Sequence, residues 1–232
     1  MSDSKNILIA GATSGIGLEL TKKLLGEGHK VFSISRRPDH PLPGVFHVQH
    51  DFSGDAEIPM HWPERLHGLV YCPGTIQLKP FGRLTDNDFL NEYRVNVLGA
   101  VQLIRKAIPA LKHDEGASVV LFSSVAARTG MPFHASIAAA KGSIESLTFS
   151  LAAEYAPQIR FNCIAPSLTD TPLAGKLLNT PEKISAAAQR HPLKKTGSPE
   201  EMAEMAAFLL HDAMFITGAV IPVDGGIGRL KL

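Results

Sequence analysis

Short apolar runs alternate with longer amphipathic stretches along the chain. The runs near 5–10, 30–35, 45–49, 67–72, 117–123, 159–164 and 219–223 are rich in Ile, Leu, Val and Phe and are bounded by glycine, proline or polar residues. Continuous apolar runs of this length predict strands buried on both faces. Helical spacing fills the intervals near 15–27, 86–112, 136–156, 172–190 and 199–211, with a break expected inside 86–112. The segment 51–66 is polar and carries Pro59 and Pro63, so any helix there is expected to be short. There is no repeat, low-complexity segment or linker. The pattern predicts an α/β fold: a single-domain, doubly wound sheet of about seven parallel strands with helices on both faces, spanning residues 1–232.

The first strand runs into the turn 11–17, where Gly11, Gly15 and Gly17 surround Thr13, Ser14 and Ile16. A strand that ends in a glycine turn and opens a helix is a phosphate-binding device. The first N–H groups of the helix have no intrahelical partner, and its dipole places partial positive charge there. Gly11 permits the sharp turn, while Gly15 and Gly17 let a pyrophosphate and the strand come close to the backbone. The second strand ends Ser35-Arg36-Arg37. In dinucleotide-binding folds an acidic residue at this place holds the ribose 2′-hydroxyl of NAD, whereas an arginine accommodates the 2′-phosphate of NADP. Ser35, Arg36 and Arg37 therefore favour NADP(H) over NAD(H).

Composition narrows the partners. Hydrophobic residues make up 44% and charged residues 19% of the chain, which suits a sizeable core, and a net charge of +1 gives no basic footprint for nucleic acid. No apolar run approaches membrane-spanning length. The N-terminus passes from polar residues straight into a strand, with no signal-peptide pattern. Cys72 and Cys163 lie in apolar runs and are expected to be buried thiols in a reducing, cytoplasmic compartment. His47, His50, His61 and His67 lack metal-ligand spacing, and no metal site is expected. Ala186–Ala188, Met202, Met205 and Phe208 are expected in the core or a subunit contact.

Taken together, the glycine turn and a series of later motifs make the chain similar to the short-chain dehydrogenase/reductase family, a Rossmann-type family, over nearly its full length. Asp51 follows the third strand, where that family places an acid near the adenine ring. Tyr71-Cys72-Pro73-Gly74 stands in place of Asn-Asn-Ala-Gly and keeps only the glycine. Asn96, Ser124 and Lys141 match the active-site asparagine, serine and lysine. Pro166-Ser167-x3-Thr171 resembles the Pro-Gly-x3-Thr turn that holds the nicotinamide carboxamide, and Thr217-Gly218 with Val223-Asp224-Gly225-Gly226 resembles the C-terminal signature. The resemblance implies that Gly74, Asn96, Lys141, Pro166 and Thr171 join the glycine turn, Ser35, Arg36, Arg37 and Asp51 in binding cofactor. It also implies a substrate lid at 170–198 and a homo-dimer or tetramer built through the helices near 95–112 and 136–156.

One position departs from the family. Its Tyr-x3-Lys motif requires a tyrosine four residues before Lys141, and that residue is Ile137. Positions 137 and 141 share a helix face. In the family the lysine depresses the phenol's pKa; isoleucine has no proton to give. General acids are typically worth about 10²–10⁴ in rate, so the expectation is slow chemistry rather than none. His134 is a candidate substitute proton donor. Ser136 reads as a helix cap and Tyr71 as a packing residue. Two functions follow. One is an NADP(H)-dependent oxidoreductase acting on a small carbonyl or alcohol compound, with Ser124 polarising the carbonyl, Lys141 holding the ribose and Asn96 ordering water. The other is a catalytically impaired NADP(H)-binding sensor or partner subunit.

Overall fold

Strand residues that alternate between two apolar faces determine the layers. The computed structural model describes residues 4–113 and 116–231. Its seven strands are β1 (Asn6–Ala10), β2 (Lys30–Ser35), β3 (Phe46–Gln49), β4 (Gly68–Tyr71), β5 (Ala117–Phe122), β6 (Ile159–Pro166) and β7 (Ala219–Val223). They form one sheet in the order β3-β2-β1-β4-β5-β6-β7, every pair parallel. The helices are α1 (Gly15–Gly26), α2 (Asp86–Tyr93), α3 (Gly99–Leu111), α4 (Ala135–Tyr155), α5 (Pro181–Arg190) and α6 (Pro199–His211). Among the described residues no helix is long and apolar enough to cross a membrane.

Because side chains alternate along a strand, each strand feeds two cores. Leu8, Leu69, Val119, Leu121, Phe161 and Cys163 face one side and pack with residues of α3 and α4. Ile7, Ile9, Val70, Val120 and Ile164 face the other and pack with Leu20 and Leu24 of α1 and Met202, Ala206 and Leu210 of α6. Parallel strands covered by helices on both faces need this double burial, and the near-continuous apolar runs supply it.

The order reverses between β1 and β4. The chain leaves β1 for β2 and β3 on one side, then returns to place β4 on the other. A crevice opens at the carboxyl ends of the strands at such a reversal, where ligands of open α/β sheets bind.

Two local expectations, the helix near 172–190 and the Ser136 cap, are corrected. The helix anticipated near 172–190 is a short 3-10 turn at Pro172–Ala174 followed by α5. Pro172 and Pro181 each begin a helical turn, the position where a missing N–H costs nothing, and Thr180 caps α5 through the Lys183 N–H. No helix forms within 51–66. Ser136 does not cap α4: His134 is the boundary residue, and the Ser136 hydroxyl lies buried inside the first turn without a partner. The anticipated break in 86–112 is a wide π turn, Arg94–Leu98, joining α2 to α3. Tyr71 is 3% exposed; its hydroxyl donates to the Val95 carbonyl in this turn at 2.6 Å, and its ring meets Phe52 edge to face.

Candidate active site

The glycine turn packs closely. Gly11 and Gly15 hold φ of +75° and +53°, and a Cβ on Gly17 would strike the Gly11 carbonyl oxygen. A Cβ on Gly15 would stand 3.3 Å from the Thr171 side chain, so the turn after β6 faces the turn after β1 across the crevice. The start of α1 is left open. Ser14 makes no side-chain cap bond and the first turn holds no acid, whereas α2 and α6 each begin with a complete capping box, Thr85 with Asp88 and Ser198 with Glu201. Uncapped N–H groups at the head of a helix attract an anion. The residues present therefore fit the pyrophosphate of a dinucleotide.

Around that turn, Thr13 and Ser35 are both buried, and their hydroxyls meet at 3.2 Å, tying the glycine turn to the end of β2. Arg36 and Arg37 leave β2 with exposed side chains. Asp51 is exposed beyond β3. Its carboxyl accepts the Ser53 N–H, which, with the influence of Arg36, holds its pKa below the usual carboxylate value. The sequence reading overlooked His40, whose ring Nε2 lies 3.1 Å from the Ala12 carbonyl and so contacts the glycine turn directly.

The far side of the crevice gathers the other site residues. Ser124 follows β5 by two residues in extended conformation, half-buried, and its hydroxyl accepts the Ala126 N–H. Behind it, Asp224 accepts the N–H groups of Gly226 and Gly228, and a Cβ on Gly228 would press on Val125. The C-terminal signature thus buttresses the turn after Ser124. Lys141 of α4 donates through Nζ to the Phe122 carbonyl at 2.8 Å, two residues before Ser124. Burial lowers the Lys141 pKa to about 8, while Cys163, Glu92 and Cys72 act to raise it. Burial pushes both thiols up to about 12. Cys163 is fully buried, as expected, but Cys72 is only half-buried because it lies just past β4 at the crevice edge.

Gly74 forms the floor between these groups. A Cβ there would stand 3.1 Å from Asn96 Oδ1 and 3.7 Å from Lys141 Nζ, so both groups face Gly74. Asn96 is 1% exposed and sits in the π turn. Its amide donates to Thr75 Oγ1 at 2.9 Å, the Glu92 carbonyl at 2.9 Å and Glu92 Oε2 at 3.0 Å. Ile137 is 3% exposed but joins neither of the two sheet cores. The His134 ring bonds the Pro132 carbonyl through Nδ1.

The segment 170–198 is tied at both ends by a bridge between Thr169 and Gly197 and carries its own small apolar cluster of Ala174, Leu178 and Ala187. His191, 2% exposed, bonds the Ala187 carbonyl through Nδ1 and Ser167 Oγ through Nε2, linking the end of α5 to the turn after β6.

His47 bonds Ser33 and the Arg37 carbonyl, and the His50 and Phe52 rings meet edge to face. Among the described residues, Glu27, His29 and His211 lie close enough to share an ion. Nδ1 of His29 accepts the Lys5 N–H and Nδ1 of His211 lies 3.4 Å from the Lys5 ammonium, so a cation already stands beside this group.

A sequence profile described as enoyl-(acyl carrier protein) reductase matches residues 54–228. The 3-oxoacyl-[acyl-carrier-protein] reductase MabA of Mycobacterium bovis is 30% identical over 97% of this chain and 93% of its own. A tropinone reductase homolog of Arabidopsis thaliana is 32% identical over 96% of this chain and 91% of its own. The ligand-free aldohexose dehydrogenase of Thermoplasma acidophilum superposes with a TM-score of 0.88 at 28% identity, covering 98% of this chain and 95% of that one. The crevice, its glycine turn and these relatives together place the chain in the short-chain dehydrogenase/reductase family of oxidoreductases, whose members use a nicotinamide cofactor.

Proposed function

We propose that the chain is an NADP(H)-dependent oxidoreductase acting on a small carbonyl or alcohol compound. The observation that carries this reading is that Asn96 and Lys141 both face Gly74, with Lys141 bonded to the end of β5 two residues before Ser124. The bound cofactor supplies or takes up hydride. Ser124 offers a hydroxyl to the substrate oxygen, Lys141 holds the nicotinamide ribose, and Asn96 orders the floor. Thr13, Ser14, Gly15, Ile16 and Gly17 cradle the pyrophosphate, with Ser35, Arg36 and Arg37 at the adenosine 2′-phosphate, Asp51 near the adenine, and Pro166 and Thr171 at the carboxamide. Residues 170–198 act as a substrate lid hinged at Thr169 and Gly197. The relatives named above are reductases and dehydrogenases, which supports a carbonyl and alcohol pair. Exposed arginines and the lack of an acid at the end of β2 support NADP(H).

The buried Ile137 favours a second reading, an NADP(H)-binding chain that does not turn over. NADPH oxidation with a panel of ketones, aldehydes and enones separates the two. On the first reading the wild type oxidises NADPH and Lys141→Ala abolishes it. On the second, the wild type is silent and Ile137→Tyr creates activity. Activity that neither substitution changes contradicts both.

A further inference from the structure

Glu92 is a carboxyl where nothing in the catalytic reading asks for one. It lies on α2, four residues before Asn96, and is 2% exposed. Its Oε2 accepts from Thr75 Oγ1 at 2.6 Å and from Asn96 Nδ2 at 3.0 Å, and its backbone carbonyl accepts from Nδ2 at 2.9 Å. These acceptors, with Thr75 Oγ1, take up the amide protons of Asn96. The amide is therefore turned so that its oxygen, not its nitrogen, faces Gly74 and Lys141.

Two buried acceptors are left over. Neither Asn96 Oδ1 nor Glu92 Oε1 has a hydrogen-bond partner, although buried polar atoms nearly always have one. Lys141 Nζ has three protons and spends one on Phe122. Asn96 Oδ1 and Lys141 Nζ both face Gly74, so a water there would accept from the ammonium and donate to the open amide oxygen. Such a water adjoins Lys141, one helical turn from the position that Ile137 occupies.

We propose that Glu92 is a positioning residue for proton delivery, orienting Asn96 and holding, with Lys141, a water that supplies the proton a phenol at position 137 would have given. The proposal rests on the oxidoreductase reading above. As the substrate carbonyl carbon takes up hydride, its π pair moves onto oxygen. An O–H bond of the seated water breaks and the proton bonds to the alkoxide. A Lys141 N–H breaks to restore the water, and the amine regains a proton from bulk solvent. A lysine with a pKa of about 8 exchanges protons readily near neutrality.

The groups that act electrostatically on Lys141 are Cys72 beyond β4, Cys163 on β6 and Glu92 on α2. On its own helix, Glu145 is engaged by Arg128 and Ser123. Both thiols are held neutral by burial, leaving the Glu92 carboxyl to favour the ammonium.

The test compares wild type, Glu92→Gln and Glu92→Asp, all with circular dichroism to establish folding. The Lys141 midpoint is read in cofactor-free protein from the pH dependence of its acetylation by acetic anhydride, followed by mass spectrometry. The expected result is a lower midpoint in Glu92→Gln, with Glu92→Asp close to wild type. In NADPH-driven reduction, Glu92→Gln should lose roughly tenfold or more at pH 8 but less at pH 6, because the limb of the rate profile moves with the midpoint. An unmoved midpoint, or a loss of rate uniform across pH, overturns the proposal. A moved midpoint in a protein that reduces no carbonyl overturns the oxidoreductase reading, and the delivery role with it.

Discussion

Lys141 shows at the scale of one residue how a site trades stability for chemistry. Its ammonium is buried against the Phe122 carbonyl, and burial lowers its pKa from 10.5 to about 8. Below about pH 8 both folded and unfolded chains carry the proton, and the folded state bears the full desolvation cost. Between pH 8 and 10.5 the unfolded chain binds more protons than the folded one, so stability from this group rises with pH and the cost disappears. Lys141→Met is therefore expected to stabilise the chain at pH 7 by about 1–3 kcal/mol, with the gain fading by pH 10.5 and turnover lost. Urea denaturation at both pH values checks this, and destabilisation at pH 7 contradicts it. Ile137 next door poses the complementary problem of a proton source removed while its lysine stays.

The same residue scale shows what a sequence can reveal. Asn96, Ser124 and Lys141 are legible because each stands at a recognisable place in a motif. Glu92 is not, since an acid on a polar helix reads as a solvated charge; only the bend of Arg94–Leu98 turns it inward beside Asn96.

At the scale of elements, the strand–glycine turn–helix unit is limited by contact. Gly17 has no room for a methyl against the Gly11 carbonyl. Gly17→Ala should cost about 1–3 kcal/mol through overpacking and should weaken NADPH binding, as denaturation and fluorescence titration would show; unchanged binding counts against the cradle. α6 is held differently. Arg160 on β6, 6% exposed, donates to the carbonyls of Leu209, Leu210 and Ala213 at the end of that helix. A cation at a helix C-terminus satisfies carbonyls that have no intrahelical partner. Arg160→Leu leaves the Leu210 carbonyl without its donor, while Leu209 and Ala213 keep the Ser118 hydroxyl and the Ile216 N–H, at a cost of about 1–3 kcal/mol, measurable by urea denaturation and absent if the guanidinium bonds are dispensable. The strands were readable because residues of both faces are apolar. Arg160 in the middle of one was not, because its partners lie about fifty residues away. The helix expected near 172–190 erred for a related reason: apolar spacing there ran across Pro172 and Pro181, which each start a new turn.

At the scale of the whole molecule, the parallel sheet reverses between β1 and β4, and the candidate groups come from the loops at the carboxyl ends of the strands, the start of α1, the π turn and α4. A ligand seated there spans both halves of the sheet and should stabilise the entire fold. Saturation at a hundredfold excess over Kd adds about 2.7 kcal/mol, or roughly 5–10 °C in Tm for a chain of this size. The decisive measurement is calorimetric titration of wild type and Arg36→Ala with NADPH and with NADH. The predicted result is tighter binding of NADPH by the wild type and loss of that preference in Arg36→Ala, with NADH affinity little changed. Binding of neither coenzyme by the wild type, or an NADPH preference that survives the loss of Arg36, would contradict the account.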